Sequence, residues 1–224
     1  MPRPRSRLQR LLTTLSRGRA IDPALGPPRD PWHAILYENV AYLCADEVRR
    51  SAFATLKRTT GLDADMIAAA PDEVLLAATG QGKLASQRVT KLRLCAELFG
   101  SVGDPRQLVD LPVAKARAAL KRFPGIGDPG ADRLLLFAAK APRLALESNG
   151  LRALLRLGYG TESKAYAASY RSAQAAAAAE MPELVDDRID LFAVLRRHGQ
   201  ETCRATPDCA TCAVATDCPA APNR

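Results

Sequence analysis

Apolar residues recur at three- and four-residue intervals along most of this chain, and no stretch reads as a strand; both features predict an all-helical protein. After Pro27-Pro28-Arg29-Asp30-Pro31, Leu36, Val40 and Leu43 form one stripe of a helix over 32–44. Asp46 is positioned to cap a second helix over 47–59, and short helices are expected over 63–70 and 71–79. Pro71-Asp72-Glu73 sets acids in a first turn, where the helix dipole favours them. Gly80-Gln81-Gly82 breaks the pattern, and a longer helix over 84–99 is expected to end at Gly100. Further helices are predicted over 114–122, 130–140, 148–158, 163–180 and 184–198. The last is amphipathic through Val185, Ile189, Phe192 and Leu195 and is expected to stop at Gly199.

The chain has 224 residues, 47% of them hydrophobic and 25% charged, an ordinary folded composition. Aromatics are only 5%, and alanine and leucine dominate, which again favours helices. No apolar run approaches the length of a membrane span; Leu134–Ala139 is among the longest. The net charge of +8 makes nucleic acid a candidate partner, because Lys and Arg release counterions on meeting phosphates. Met1 to Ile21 carries Arg3, Arg5, Arg7, Arg10, Arg17 and Arg19 with no acid and no long apolar core. That excludes a secretory signal and reads as a mobile basic arm over 1–28 that skims DNA phosphates, with a transit peptide as the alternative.

Six cysteines fall in two groups. Cys44 and Cys95 stand alone in apolar helical stretches and read as small core residues. Cys203, Cys209, Cys212 and Cys218 crowd into sixteen residues. Without a secretory signal a reducing compartment is expected, cytoplasm or nucleoid, so metal binding is favoured over disulfides. Four thiolates at this density suit one compact iron–sulfur centre. Zinc is the rival, although only Cys209 and Cys212 make the short pair that zinc knuckles use twice.

A second feature is Phe123-Pro124-Gly125-Ile126-Gly127 between two helices. Glycines at this spacing let the backbone approach a ligand, and the next helix start offers N–H groups to a phosphate. Lys121, Arg122 and Arg133 flank it. The alternative is an ordinary corner between helices. Gly80-Gln81-Gly82-Lys83 lacks the spacing of a phosphate-binding P-loop and reads as a turn that touches DNA backbone at most. His33 and His198 are far apart and make no metal or triad case.

Helix, Pro124-Gly125-Ile126-Gly127, helix, about sixty residues of further helix and then the clustered cysteines together resemble the helix-hairpin-helix DNA glycosylases, in particular endonuclease III and the adenine-specific glycosylase. The likeness runs from about Pro31 to Cys218, and 195–203 also looks like that family's approach to its cluster loop. The first cysteine gap is five residues where the family has six. The resemblance implies two helical lobes with a DNA groove and catalytic pocket between them. One lobe, over 46–140, would carry the hairpin. The other, over 29–45 plus 141–218, would carry a [4Fe–4S] cluster on Cys203, Cys209, Cys212 and Cys218, leaving 219–224 as a tail. It implies a monomer whose partner is double-stranded DNA with a damaged, mispaired or abasic site. Lys121, Arg122, Gly125, Ile126, Gly127 and Arg133 would be its DNA-binding residues.

The catalytic positions depart from the family. Where endonuclease III has the lysine that attacks the sugar, this chain has Pro129, which has no nucleophile. The family's catalytic aspartate corresponds to Glu147 in Leu146-Glu147-Ser148-Asn149, a carboxylate suited to stabilising a sugar cation; the alternative is a helix-start acid. Glu38 matches the adenine glycosylase's base-protonating glutamate, with a solvated helix acid as the alternative. The glutamine-rich segment after that helix is replaced by Tyr42-Leu43-Cys44-Ala45-Asp46. The expectation is a monofunctional DNA glycosylase without lysine-type lyase activity. The second reading is an inactive DNA-lesion or DNA-structure binder on the same scaffold, and the third is a redox-sensing DNA binder.

Overall fold

The computed structural model describes residues 6–17, 26–42 and 44–222. Among these, the structure is helical throughout and divides into two compact units: Pro27–Ala141, and Met1–Gly26 together with Pro142–Arg224. Leu43, Arg3, Arg5 and Arg19 lie outside the described residues.

The first helix, α1 (Arg7–Ser16), belongs to the second unit and revises the expected mobile arm. Ser6 and Gln9 form a reciprocal capping box: the Gln9 amide donates to Ser6 Oγ (3.2 Å) and the Ser6 amide to Gln9 Oε1 (3.0 Å). Leu8 and Leu11 are buried in that unit's core beside Leu151, Leu154, Tyr170 and Leu195. Arg7 donates to the carbonyls of Leu157 (2.9 Å) and Asp217 (2.7 Å) and lies over the Tyr159 ring. The basic segment is therefore anchored to protein over its helical part.

The unit Pro27–Ala141 holds α2 (Pro31–Val40), α3 (Asp46–Thr60), α4 (Ala64–Ala69), α5 (Asp72–Thr79), α6 (Ala85–Val102), α7 (Pro105–Leu108), α8 (Val113–Leu120) and α9 (Asp128–Phe137). Asp30 caps α2 by accepting from the His33 amide (2.9 Å), and Pro31 supplies the preset first turn. Trp32 anchors α2 in this unit: its Nε1 donates to the Leu62 carbonyl (2.7 Å) and its ring meets Phe99 edge-on. Ile35, Leu36 and Val40 are buried with Leu56, Leu75, Leu92, Leu120 and Leu135. Residues 29–45 thus pack with 46–140, whereas the resemblance had implied that they join the cysteine-bearing lobe. The physical reason is the apolar face of α2, which is complementary to α3, α6 and α9.

The other unit adds α10 (Ser148–Arg156), α11 (Tyr166–Ala177) and α12 (Val185–Glu201), with single 3₁₀ turns at Ala178–Glu180 and Ala215–Asp217. Gly199 does not end α12, as its type suggests, but lies inside it. A Cβ there would stand 2.2 Å from the Asn149 carbonyl oxygen, so glycine is what lets α12 and α10 touch through their backbones. Gly100 likewise lies inside α6, which runs on to Val102. We predict that Gly199→Ala lowers stability by about 3 kcal/mol or more, because the obstructing atoms are main chain and cannot step aside; urea unfolding measures this, and a change within error would refute it.

Candidate functional site

In the unit that contains α10 and α12, the four C-terminal cysteines line a single cavity. Cys203 is buried, Cys209, Cys212 and Cys218 are half-buried, and all are free thiols. The elements that fix the loop come from the helix pair. Arg152 on α10 donates through Nε to the Cys203 carbonyl (3.0 Å) and through Nη2 to the Gly199 carbonyl (2.8 Å). Arg156, one turn on, donates to the carbonyls of Arg204 (2.5 Å) and Ala205 (3.0 Å), and its Nη1 lies 3.6 Å from Cys203 Sγ. Cys218 Sγ donates to the Arg156 carbonyl (3.3 Å). Asp208 opens the turn to Cys212, accepting from the Thr211 hydroxyl (2.8 Å) and amide (3.3 Å), and those bonds hold its carboxyl below the usual range.

Burial pushes the Cys212 thiol upward, opposed by the Val214 amide, and charge repulsion from Cys218, Cys203 and Cys209 adds to the rise. Four sulfurs within mutual electrostatic reach, around one wall, suit a polynuclear cationic core that would neutralise them as thiolates. Among the described residues, no three His, Cys, Asp or Glu side chains converge closely enough to hold a single ion. His198 also lines the cavity and is held neutral-leaning by burial, with Glu201 opposing. Cys95 is fully buried, its thiol pushed up to about 12 by desolvation, and belongs to the core as expected.

The α8–α9 hairpin is built in the other unit. Phe123 and Ile126 are buried anchors, while Lys121, Arg122, Gly125 and Gly127 are exposed. Gly125 has φ +74°, the left-handed region, so the turn requires a glycine there. The loop is held from α2: buried Asn39 donates through Nδ2 to the carbonyls of Pro124 (2.7 Å) and Ile35 (3.0 Å). Its Oδ1 stands 3.0 Å from where a Gly125 Cβ would be. Asn39 was not singled out from the sequence, although a polar residue on the packed face beside Leu36 and Val40 is a signal. Arg117 on α8 braces α9 by pairing with buried Asp132 (2.9 Å) and with Asp128 (3.3 Å), which Lys121 also meets (2.7 Å).

The candidate carboxylates fall in different units. Glu147 is the N-cap of α10: Oε1 accepts from the Gly150 amide (2.7 Å), and Oε2 from the Asn149 amide (3.0 Å) and Asn149 Nδ2 (2.8 Å). It is a fixed, hydrogen-bonded carboxylate with Asn149 beside it, and the Asn149 Oδ1 accepts in turn from Arg152 (2.9 Å). Glu38 is not a solvated helix acid. It pairs with Arg133 Nη2 (2.8 Å) and Arg49 Nη1 (3.6 Å). That pairing engages Arg133, which is 13% exposed, as Asp128 engages Lys121 on the hairpin. Pro129 stands in the first turn of α9, where its missing N–H costs nothing.

No family model matches the chain, and no curated protein matches it. Solved structures do. A trapped endonuclease III–DNA covalent intermediate in an estranged-adenine complex superposes with a TM-score of 0.72 at 18% identity, over 96% of this chain and 93% of that one. A thermostable thymine-DNA glycosylase gives 0.73 at 17% identity, over 95% and 94%. The H. pylori 3-methyladenine DNA glycosylase MagIII, bound to 1,N6-ethenoadenine, gives 0.64 at 14% identity, over 87% and 95%. The chain has the fold of the helix-hairpin-helix DNA glycosylases.

Proposed function

We propose that this protein is a base-excision-repair DNA glycosylase that hydrolyses the N-glycosidic bond of a damaged or mispaired base and lacks lysine-type lyase chemistry. The observation that carries the reading is the likeness, over nearly the full length of both chains, to endonuclease III in complex with DNA. The exposed hairpin supports it: Gly125 and Gly127, with Lys121 and Arg122 beside them, would hold a DNA phosphate through backbone amides and charge. Extrusion of the target nucleotide costs a few kcal/mol and is cheapest where pairing is already damaged.

Glu147 carries the chemistry in this reading. As the glycosidic bond breaks, positive charge develops on the sugar, and a carboxylate already fixed by its N-cap bonds stabilises it without reorganising. The same carboxylate would orient the attacking water. Pro129 has no amine to form a Schiff base, so the abasic product would leave with its strand intact. Glu38 takes a positioning role toward Arg49 and Arg133 in place of the acid role that the sequence suggested.

The position of Cys203, Cys209, Cys212 and Cys218 around one cavity supports a [4Fe–4S] cluster held by the four. Bound there, it would supply a rigid cross-link that shapes the loop carrying Arg204. The purified protein should show broad visible absorbance and iron with sulfide, and Cys212→Ser should lose both; zinc found in place of iron by elemental analysis overturns the cluster.

Duplexes carrying uracil, thymine glycol, mispaired adenine or an abasic site test the activity. Nicks that appear only after alkali are expected on at least one base substrate, with none trapped by borohydride. Glu147→Gln should slow the chemical step by about a hundredfold or more while DNA affinity holds. Binding without cleavage on any substrate would favour the second reading, a DNA-lesion binder, to which the exchange of the lyase lysine for Pro129 also lends support. Borohydride-trapped, alkali-independent nicking would remove the claim about Pro129.

A further inference from the structure

Tyr42 opens the stretch that replaces the glutamine-rich segment of the resembled family, so that resemblance assigns it no role. Ala41, the C-cap of α2, is extended (φ −145°, ψ 148°) and fully buried. The next side chain turns outward, and Tyr42 is 41% exposed. Its backbone is nonetheless pinned. The Tyr42 carbonyl accepts from the Lys83 amide (3.3 Å). A Cβ on Gly82 would stand 3.2 Å from the Tyr42 amide nitrogen and 3.3 Å from the Ala41 Cβ, so the Gly80-Gln81-Gly82-Lys83 turn lies directly against this segment. The turn is tied in its own right to α3, where Gln81 Nε2 donates to Thr55 Oγ1 (3.2 Å).

The ring is held as well. Arg88 on α6 is 5% exposed, and its guanidinium carbon lies 4.6 Å from the centre of the Tyr42 ring. Arg88 Nε is buried without a hydrogen-bond partner, and a cation kept away from water is drawn to the electron-rich face of an aromatic ring. Arg88 is thus closed to any ligand, and its part is to back the tyrosine. One face of the ring is occupied, so the exposed area belongs to the opposite face and the edge. Lys83, whose amide holds the Tyr42 carbonyl, is exposed beside it. A flat ring that is immobilised, open on one face and flanked by a cation suits a nucleobase with its phosphate.

We propose that Tyr42, backed by Arg88, is a stacking platform for one unpaired nucleobase of DNA, either the base drawn out of the duplex or the base left behind on the opposite strand. The platform rests on the reading that the protein binds DNA. Stacking on it loses little side-chain freedom, because the ring is already fixed before the base arrives. It would favour distorted sites over intact duplex without reading sequence, since every base has a face to stack.

The test measures the affinity of the full-length protein for three duplexes. One is fully paired, one carries a stable abasic analogue opposite thymine, and one carries adenine mispaired with guanine on a 2′-fluorinated sugar that resists hydrolysis. Tyr42→Ala should weaken binding about tenfold or more where an unpaired base is held, and leave the fully paired duplex unchanged. The dependence of affinity on salt should not move, because no phosphate contact is lost. Tyr42→Phe keeps the ring and should stay within about twofold of wild type on all three. A loss on the abasic duplex assigns the base left behind, the one unpaired base at that site. A loss on the mispaired duplex alone assigns the extruded base. Tyr42→Ala that binds all three as wild type does, or that weakens all three equally, overturns the platform and leaves the DNA reading intact. Wild type that binds no duplex overturns that reading together with this ligand.

Discussion

In the cysteine-bearing unit, α12 meets the carbonyl of Asn149 at Gly199, at a separation no side chain would allow. Much of the candidate chemistry in that unit depends on it. Asn149 sits next to Glu147, so the contact that joins the helices also fixes the N-terminal turn where the carboxylate is capped. Arg152, one turn along α10, spans the same junction to the carbonyls of Gly199 and Cys203. A single backbone contact thereby links the carboxylate, the helix end and the first cysteine. A shift of Cys203 would disturb the Arg152 bonds that reach back to the turn holding Glu147.

The basic segment at the start of the chain is part of the same assembly. Arg7 ties α1 to the carbonyl at the end of α10 and to the 3₁₀ turn just before Cys218. Glu180 binds it from another side, accepting from the Leu8 amide (2.7 Å) and the Tyr159 hydroxyl (3.1 Å). Burial, the largest single effect, raises the Glu180 carboxyl, but those donors together with Ser6 and the Arg7 charge outweigh it and hold the carboxyl below its usual range. Arginine count alone suggested a DNA-skimming arm, but an arginine whose guanidinium points at carbonyls is structural. The capping box Ser6-Arg7-Leu8-Gln9 and the leucines at 8, 11, 12 and 15 were the local signals of a docked helix, and charge composition outweighed them in the reading.

Much of the helix pattern was legible because periodicity depends on local geometry. The helices that begin near Trp32, Asp46, Leu84 and Ser148 follow from apolar spacing and cap chemistry. What the sequence left hidden was set by contacts distant along the chain. Glycine usually ends a helix, so Gly199 read as a stop; its role appears only when α10 is placed against it. Glu38 read as a base-protonating acid, or else a solvated helix acid, because its partners Arg49 and Arg133 lie on other helices. Asn39 went unnoticed for the same reason, its partner Pro124 being 85 residues away. The cysteine spacing, by contrast, indicates a shared cavity because all four cysteines fall in one short loop.

Glu38 and Asn39 are neighbours on α2, and between them they divide the work of that helix. Asn39 turns inward, secures the hairpin carbonyl and leaves the glycine backbone exposed. Glu38 turns toward α3 and α9 and gathers guanidiniums. One helix face thus sets the geometry of the hairpin turn, and the adjacent face makes ion pairs with α3 and α9. This arrangement explains why α2 is held so firmly, with Trp32 fixed by both a hydrogen bond and an aromatic contact. A tilt of α2 would move the hairpin turn and these ion pairs at once.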